Sequence, residues 1–218
     1  MNKNYCGKGF ILLLVFILMV IFTSCASGSG QISASDDKPF ENVRVNTAEA
    51  KSKYSEYLVN INTYTTNGAY YQNKYENFIL SVIAMLTEKH EFDISKKSTG
   101  FYFDKRSNRT DRLYFGFDVE IVKDSNLDYG RFSTQLIKEN VETVISEISR
   151  YERMLNEQEI AGLVIGFKWR EGRINQQVNI WIKKEDMVLA REAKITVNEM
   201  YQRSTITNSE GKIILLPI

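Results

Sequence analysis

Apolar positions along the chain fall into three rhythms, and each rhythm predicts a different structure. From Phe10 to Phe22 they run without a break for 13 residues. Between Tyr54 and Leu86 they recur every three or four residues. Tyr54, Tyr57, Leu58, Ile61 and Tyr64 form one stripe, and Tyr71, Tyr75, Phe78, Ile79, Val82 and Leu86 a second. That is the spacing of two amphipathic helices. Asn67-Gly68 between them reads as a stop, because glycine accepts the left-handed conformation at a helix end. A short connection makes an antiparallel helical hairpin the natural reading.

After Asp93 the period changes to two. Phe101 and Phe103 alternate with Tyr102 and Asp104, and Leu113, Phe115, Phe117, Val119 and Ile121 alternate with Tyr114, Gly116, Asp118 and Glu120. Such alternation marks strands with one covered and one more polar face. Helical spacing returns from about Ser133 to Asn156 through Ile137, Val141, Val144, Ile148, Tyr151 and Leu155. Two further strands follow, Leu163–Trp169 and Val178–Ile182, around a turn at 170–175. Thr196 and Glu199 suit a capping box, so a short helix is expected there. Glu210-Gly211 reads as a turn before a final, buried closing strand over 213–216. The order αα-ββ-α-ββ-(α)-β is an α+β fold: an N-terminal helical hairpin, then a mostly antiparallel sheet with one long packing helix.

The uninterrupted run at the start has another meaning. Thirteen helical residues cover about 20 Å, against roughly 30 Å of bilayer hydrocarbon, so the run is short for a spanning helix and suits a signal-peptide core. Lys3 and Lys8 precede it with no acidic neighbour. It ends in Phe22-Thr23-Ser24-Cys25, followed by Ala26-Ser27-Gly28-Ser29-Gly30. This leader resembles the signal peptide of a bacterial lipoprotein. With Phe22 three residues before the cysteine, the box is of the looser kind seen in spirochaetes and some other diderm bacteria. The resemblance implies cleavage between Ser24 and Cys25 and acylation of Cys25, which would hold the mature protein in a membrane. One acyl chain binds only reversibly and two hold firmly. The aspartate that retains enteric lipoproteins in the inner membrane is replaced here by Ala26, which points to the outer membrane.

Three regions follow from this reading: a leader over residues 1–24, an acylated cysteine and flexible tether over 25–40, and a single α+β domain over 41–218. The tether, rich in Ser, Gly, Ala and Asp, has a reach of roughly 20–23 Å. Loss of Lys3 and Lys8 with the leader turns a formal charge of +1 into −1. Neither value singles out nucleic acid as a partner. The two cysteines are Cys6 and Cys25. One leaves with the leader and the other carries lipid, so no disulfide is expected in the domain, and no cofactor is expected either.

Candidate chemistry is sparse. His90 is the lone histidine, without a second imidazole or a thiol to complete a metal site or a Cys–His pair, and it reads as a surface or capping residue. Asp118 and Glu120 share a strand face. Paired carboxylates can serve acid–base chemistry or hold Ca²⁺, yet strand alternation alone produces such pairs. Lys183-Lys184-Glu185-Asp186 reads as a solvated turn, and Asn108-Arg109-Thr110 as an incidental glycosylation-like triplet. Walker, Gly-x-Ser-x-Gly, His-Glu-x-x-His and dinucleotide motifs are absent from the sequence.

The second sheet face is richer. Tyr102, Tyr114, Gly116, Gly162, Gly166 and Trp181 all point to it in one register. Strand glycines allow close approach, and Tyr and Trp pair apolar bodies with polar tips. One expectation is a shallow groove for an extended peptide, glycan or lipid tail. The one the sequence favours is that the tyrosine-rich hairpin, which must bury its stripe somewhere, packs over this face and fills it. The reading favoured by the sequence is a membrane-anchored envelope lipoprotein acting as a non-catalytic binding or scaffolding module, with an envelope protein among its expected partners. The alternatives are a surface-exposed adhesin or host-contact lipoprotein, and a hydrolase using Asp118 and Glu120.

Overall fold

The computed structural model describes residues 47–218 except 108, 110 and 150. The chain divides into two units, residues 1–40 and 41–218, and every described residue belongs to the second. The predicted leader, Cys25 and tether lie outside the described residues, as do Asn108 and Thr110 of the triplet. No helix among the described residues is long and apolar enough to cross a membrane.

Five strands form one sheet in the order β1 (Gly100–Phe103), β2 (Leu113–Ile121), β3 (Ile160–Glu171), β4 (Ile174–Lys183), β5 (Thr205–Asn208). The helices among the described residues are α1 (Thr47–Tyr54), α2 (Gly68–Lys74), α3 (Glu76–Glu88), α4 (Tyr129–Ile148), α5 (Glu152–Leu155), α6 (Lys184–Arg191) and α7 (Val197–Arg203). The fold is α+β with a mostly antiparallel sheet. Only β2 and β3 run parallel; the β1–β2, β3–β4 and β4–β5 pairs are antiparallel. A parallel pair needs a crossover, and α4 supplies it.

Alternation sorts the strands into two faces. Phe115, Phe117 and Val119 stand opposite Leu163, Ile165 and Phe167, which stand opposite Ile182, Ile180 and Val178. All nine are at most 2% exposed. The helices cover this face: Ile79, Val82, Ile83 and Leu86 of α3 and Ile137, Val141, Val144 and Ile148 of α4 join the same core. Phe78 meets Phe115 at 5.8 Å between ring centroids, and Phe132 meets Trp169 edge-on at 5.1 Å. Each fully buried side chain of this size contributes about 1.5–3 kcal/mol.

Four local expectations fail, each to a tertiary contact. The stripe from Tyr54 to Tyr64 is not one helix. α1 stops at Tyr54, and the chain passes through two 3₁₀ turns, Ser55–Tyr57 and Ile61–Thr63, with extended residues between. That extended stretch guards the β1 edge: the Val59 N–H donates to the Thr99 carbonyl, and the Phe101 N–H donates to the Tyr64 hydroxyl at 3.0 Å. Gly68 opens α2 rather than ending a helix, and the Tyr64 ring occupies the space of a side chain there, 2.4 Å from where its Cβ would be. Lys183-Lys184-Glu185-Asp186 is not a solvated turn: Lys184 begins α6, and Asp186, 8% exposed, pairs with Arg203 at 3.4 Å.

The closing strand is the fourth. The last strand is Thr205–Asn208, and Ile213 only bridges to Thr207. Beyond it Ile214, Leu216 and Ile218 pack on the core while Ile213 and Leu215 face solvent. The long helix also shifts. Asp128 caps it from Tyr129, accepting from the Arg131 N–H, and it ends at Ile148; the chain then turns so that the Tyr151 ring packs on Phe78 at 3.9 Å.

Candidate functional site

The opposite face of the sheet carries no helix among the described residues. It gathers all six side-chain positions singled out from the sequence. Tyr102 stands opposite Tyr114, Tyr114 opposite Gly162, Gly116 opposite Val164, Val164 opposite Trp181, and Asp118 opposite Gly166, which faces Asn179. The tyrosine-rich N-terminal segment does not fill this face. It reaches only its rim, where the Tyr64 hydroxyl and Val59 close over Gly100.

The strand glycines do not open a groove either. A Cβ on Gly116 would lie 2.3 Å from both Cγ1 and the carbonyl oxygen of Val164, so the valine already fills that gap. A Cβ on Gly166 would lie 2.1 Å from Oδ1 of Asp118, whose carboxylate leans over the glycine. Gly162 follows a register shift in which β3 carries one extra residue against β2; its φ of 157° and the Ile182 carbonyl 1.9 Å from its Cβ position leave no room for a side chain. The expected groove is therefore a level platform.

One end of the platform is aromatic. Tyr114 meets Trp181 edge-on at 5.2 Å, and the Arg106 guanidinium lies 5.2 Å from the Trp181 ring centre. Arg106 comes from the β1–β2 connection, where Nε and Nη2 donate to the two oxygens of Asp104 at 2.6 and 2.8 Å. The Trp181 indole N–H donates to the Thr207 hydroxyl at 3.2 Å. The Tyr102 hydroxyl donates to the Ser98 carbonyl, and burial pushes that phenol well above its ordinary range. Burial raises Tyr114 as well.

The other end is polar. Lys168 Nζ lies 2.7 Å from Oδ2 of Asp118, and the Gln177 amide donates to Oδ1 of Asp118 at 3.3 Å and to Oδ1 of Asn179 at 2.6 Å. The Asn179 amide donates to Thr207 and to the Asn208 carbonyl, and the Ser95 hydroxyl donates to Glu120 at 2.5 Å. Asp118 and Glu120 thus share a face but not a partner. Beyond them the surface dips into a cavity of about 550 Å³, lined by Glu120, Lys168, Arg170, Asn175 and Gln177 of this face, by Ile121, Trp169 and Gln176, and by Ser209. The sequence pointed to the aromatic end and to the carboxylates. It did not single out the Asn175–Gln177–Asn179 row; the alternating amides of Ile174–Lys183 were its visible signal.

Elsewhere His90 sits just past α3, its Nε2 3.1 Å from Oε1 of Glu147, a carboxylate 3% exposed that also takes Lys89 at 2.8 Å. A second, more apolar cavity of about 410 Å³ lies between α4, α6 and α7, with Ile145, Val197 and Met200 in its lining. Among the described residues no group of three His, Cys, Asp or Glu side chains is placed to hold a metal ion. Neither a protein-family model, nor a curated protein, nor a solved structure matches the chain.

Proposed function

We propose that this chain is a lipid-anchored protein of the bacterial envelope, held in the membrane through acylated Cys25, whose domain is a non-catalytic binding or scaffolding module working through the uncovered sheet face. The observation that carries the reading is the pairing on that face. Its charged groups are held by one another, Lys168 by Asp118 and Arg106 by Asp104. The two carboxylates of this face, Glu120 in the lining of the 550 Å³ cavity and Asp118 beside it, are each engaged by a different group, Asp118 by Lys168 and Gln177 and Glu120 by Ser95. A rigid, internally satisfied surface is suited to recognition. The anchor rests on the leader: a basic start, a 13-residue apolar run and the box ending in Cys25.

Two measurements test it together. Mass spectrometry of the protein purified from its native membrane should show a chain beginning at Cys25 with added acyl mass. A photo-crosslinking residue replacing Asn179 should then capture one stoichiometric envelope component in intact cells, while the same residue at exposed Lys138 of α4 captures none. An intact Met1 or an unacylated terminus would overturn the anchor. Equal capture from both positions would overturn the assignment of the face.

A further inference from the structure

Building on the binding-module reading, we infer that the polar end of the uncovered sheet face, centred on the 550 Å³ cavity, recognises a neutral, hydroxyl-rich ligand, namely a carbohydrate chain. Two features of the cavity carry the inference. The first is charge balance. Its lining holds two cations, Lys168 and Arg170, with Glu120 in the lining and Asp118 beside it. An anionic ligand such as a phosphate or an acidic polymer would want a surplus of positive charge, and here there is none.

The second is the type of hydrogen-bonding group. β4 presents Asn175, Gln177 and Asn179 in a row on one face, opposite Arg170, Lys168 and Gly166 of β3. The Gln177 and Asn179 amides already donate within the face. A ligand therefore meets chiefly the Asn175 amide, the Gln177 carbonyl oxygen, the Arg170 guanidinium and the Glu120 carboxylate of the cavity lining, which offer paired donors and paired acceptors. Neighbouring hydroxyls on a sugar ring are each donor and acceptor, and such planar groups engage them in pairs. Gly166, without a side chain of its own, keeps the strand low between Asp118 and Asn179.

The same surface argues against the other polar polymer, an extended peptide. Strand addition needs a free sheet edge. β1 is guarded by Val59 and Tyr64, and β5 by the segment after its turn, where the Ile214 N–H donates to the Ile206 carbonyl and the Asn208 N–H to the Lys212 carbonyl. The aromatic end supplies Trp181 and Tyr114 a few residues along the same strands, so a chain of several sugar rings would run from the cavity towards an apolar surface on which a ring can stack.

The full acylated chain in detergent should be titrated with soluble β-linked tetramers of glucose and of N-acetylglucosamine, and with heparin as a polyanionic counter-probe. Tryptophan fluorescence and calorimetry give the readout. At least one neutral tetramer should bind saturably, heparin should not compete, and exchange of Arg170→Ala or Gln177→Ala should weaken binding about tenfold. Arg170 is exposed, so its exchange leaves the fold intact, and unchanged thermal unfolding of both variants checks this. Absence of binding to both tetramers at millimolar concentration, tighter binding of heparin, or binding that ignores both substitutions would overturn the carbohydrate assignment. A crosslink captured at position 179 alongside that failure leaves the binding-module reading standing; loss of both sinks both.

Discussion

The platform is made level by two glycines that act in different ways, and single substitutions separate them. At Gly116 the nearest neighbours of an added methyl are the Cγ1 and the carbonyl oxygen of Val164, each 2.3 Å away. The carbonyl belongs to the β2–β3 ladder and cannot withdraw without breaking it. Gly116→Ala should therefore destabilise the domain by about 1–3 kcal/mol, the usual cost of overpacking. At Gly166 the neighbours are the ends of the Asp118, Asn179 and Gln177 side chains, which can turn aside. Gly166→Ala should lower stability by less than about 1 kcal/mol while pushing the Asp118 carboxylate off its bonds to Lys168 and Gln177. Urea midpoints for the two variants check the order. A larger loss for Gly166→Ala would mean that the polar row, rather than the ladder, holds the two strands in place.

At the scale of elements, the strands and the second helical stripe, realised as α2 and α3, were legible, and the first stripe was not. Alternation of Leu113, Phe115, Phe117, Val119 and Ile121 is decided by burial on one face, which a sequence records directly. The stretch from Val59 to Asn67 has a helical stripe but little helical propensity: Asn60, Asn62, Thr63, Thr65, Thr66 and Asn67 all favour turns or extended backbone, and Asn60 in fact caps a 3₁₀ turn by accepting from the Asn62 N–H. Its apolar residues serve the β1 edge, a partnership about 40 residues away along the chain that periodicity does not encode. The capping box at Thr196 and Glu199 was readable because both its bonds are local. The platform was readable as a set of residues through alternation; its flatness was not, since Val164 and Asp118 fill the glycine gaps only once the strands pair. Tyr64 tests the edge. Its hydroxyl accepts from the Phe101 N–H and donates to Gln72, itself 4% exposed. Tyr64→Phe leaves both without that partner and should cost about 1–3 kcal/mol, with faster hydrogen exchange at the Phe101 amide. Unchanged exchange there would show that the edge is guarded without Tyr64.

The whole molecule leans on buried phenols, and this gives its stability a defined dependence on pH. Burial is the main cause that pushes Tyr64, Tyr75 and Tyr201 up to about 12, and a nearby carboxylate adds to it at Tyr75 and Tyr201, from Glu157 and Glu142 respectively. In the unfolded chain each phenol ionises near 10. The folded state thus holds protons that the unfolded state releases, so the contribution is complete below about pH 10 and is lost as pH rises through about 12. The unfolding free energy should stay level from neutrality to about pH 10 and then fall steeply. Tyr201 isolates one part of that slope. Its hydroxyl is buried and makes no hydrogen bond, and the residue is 3% exposed. Tyr201→Phe removes an unpaired polar atom without removing the ring, so at pH 7 the variant should be as stable as the parent or more stable by up to about 1 kcal/mol. Above pH 10 its advantage should widen, because one of the protons that drives alkaline unfolding is gone. Chemical denaturation of parent and variant at pH 7 and pH 11 reads both effects, and a Tyr201→Phe protein that is weaker at pH 7 or runs parallel to the parent at pH 11 would refute this account of the alkaline limb.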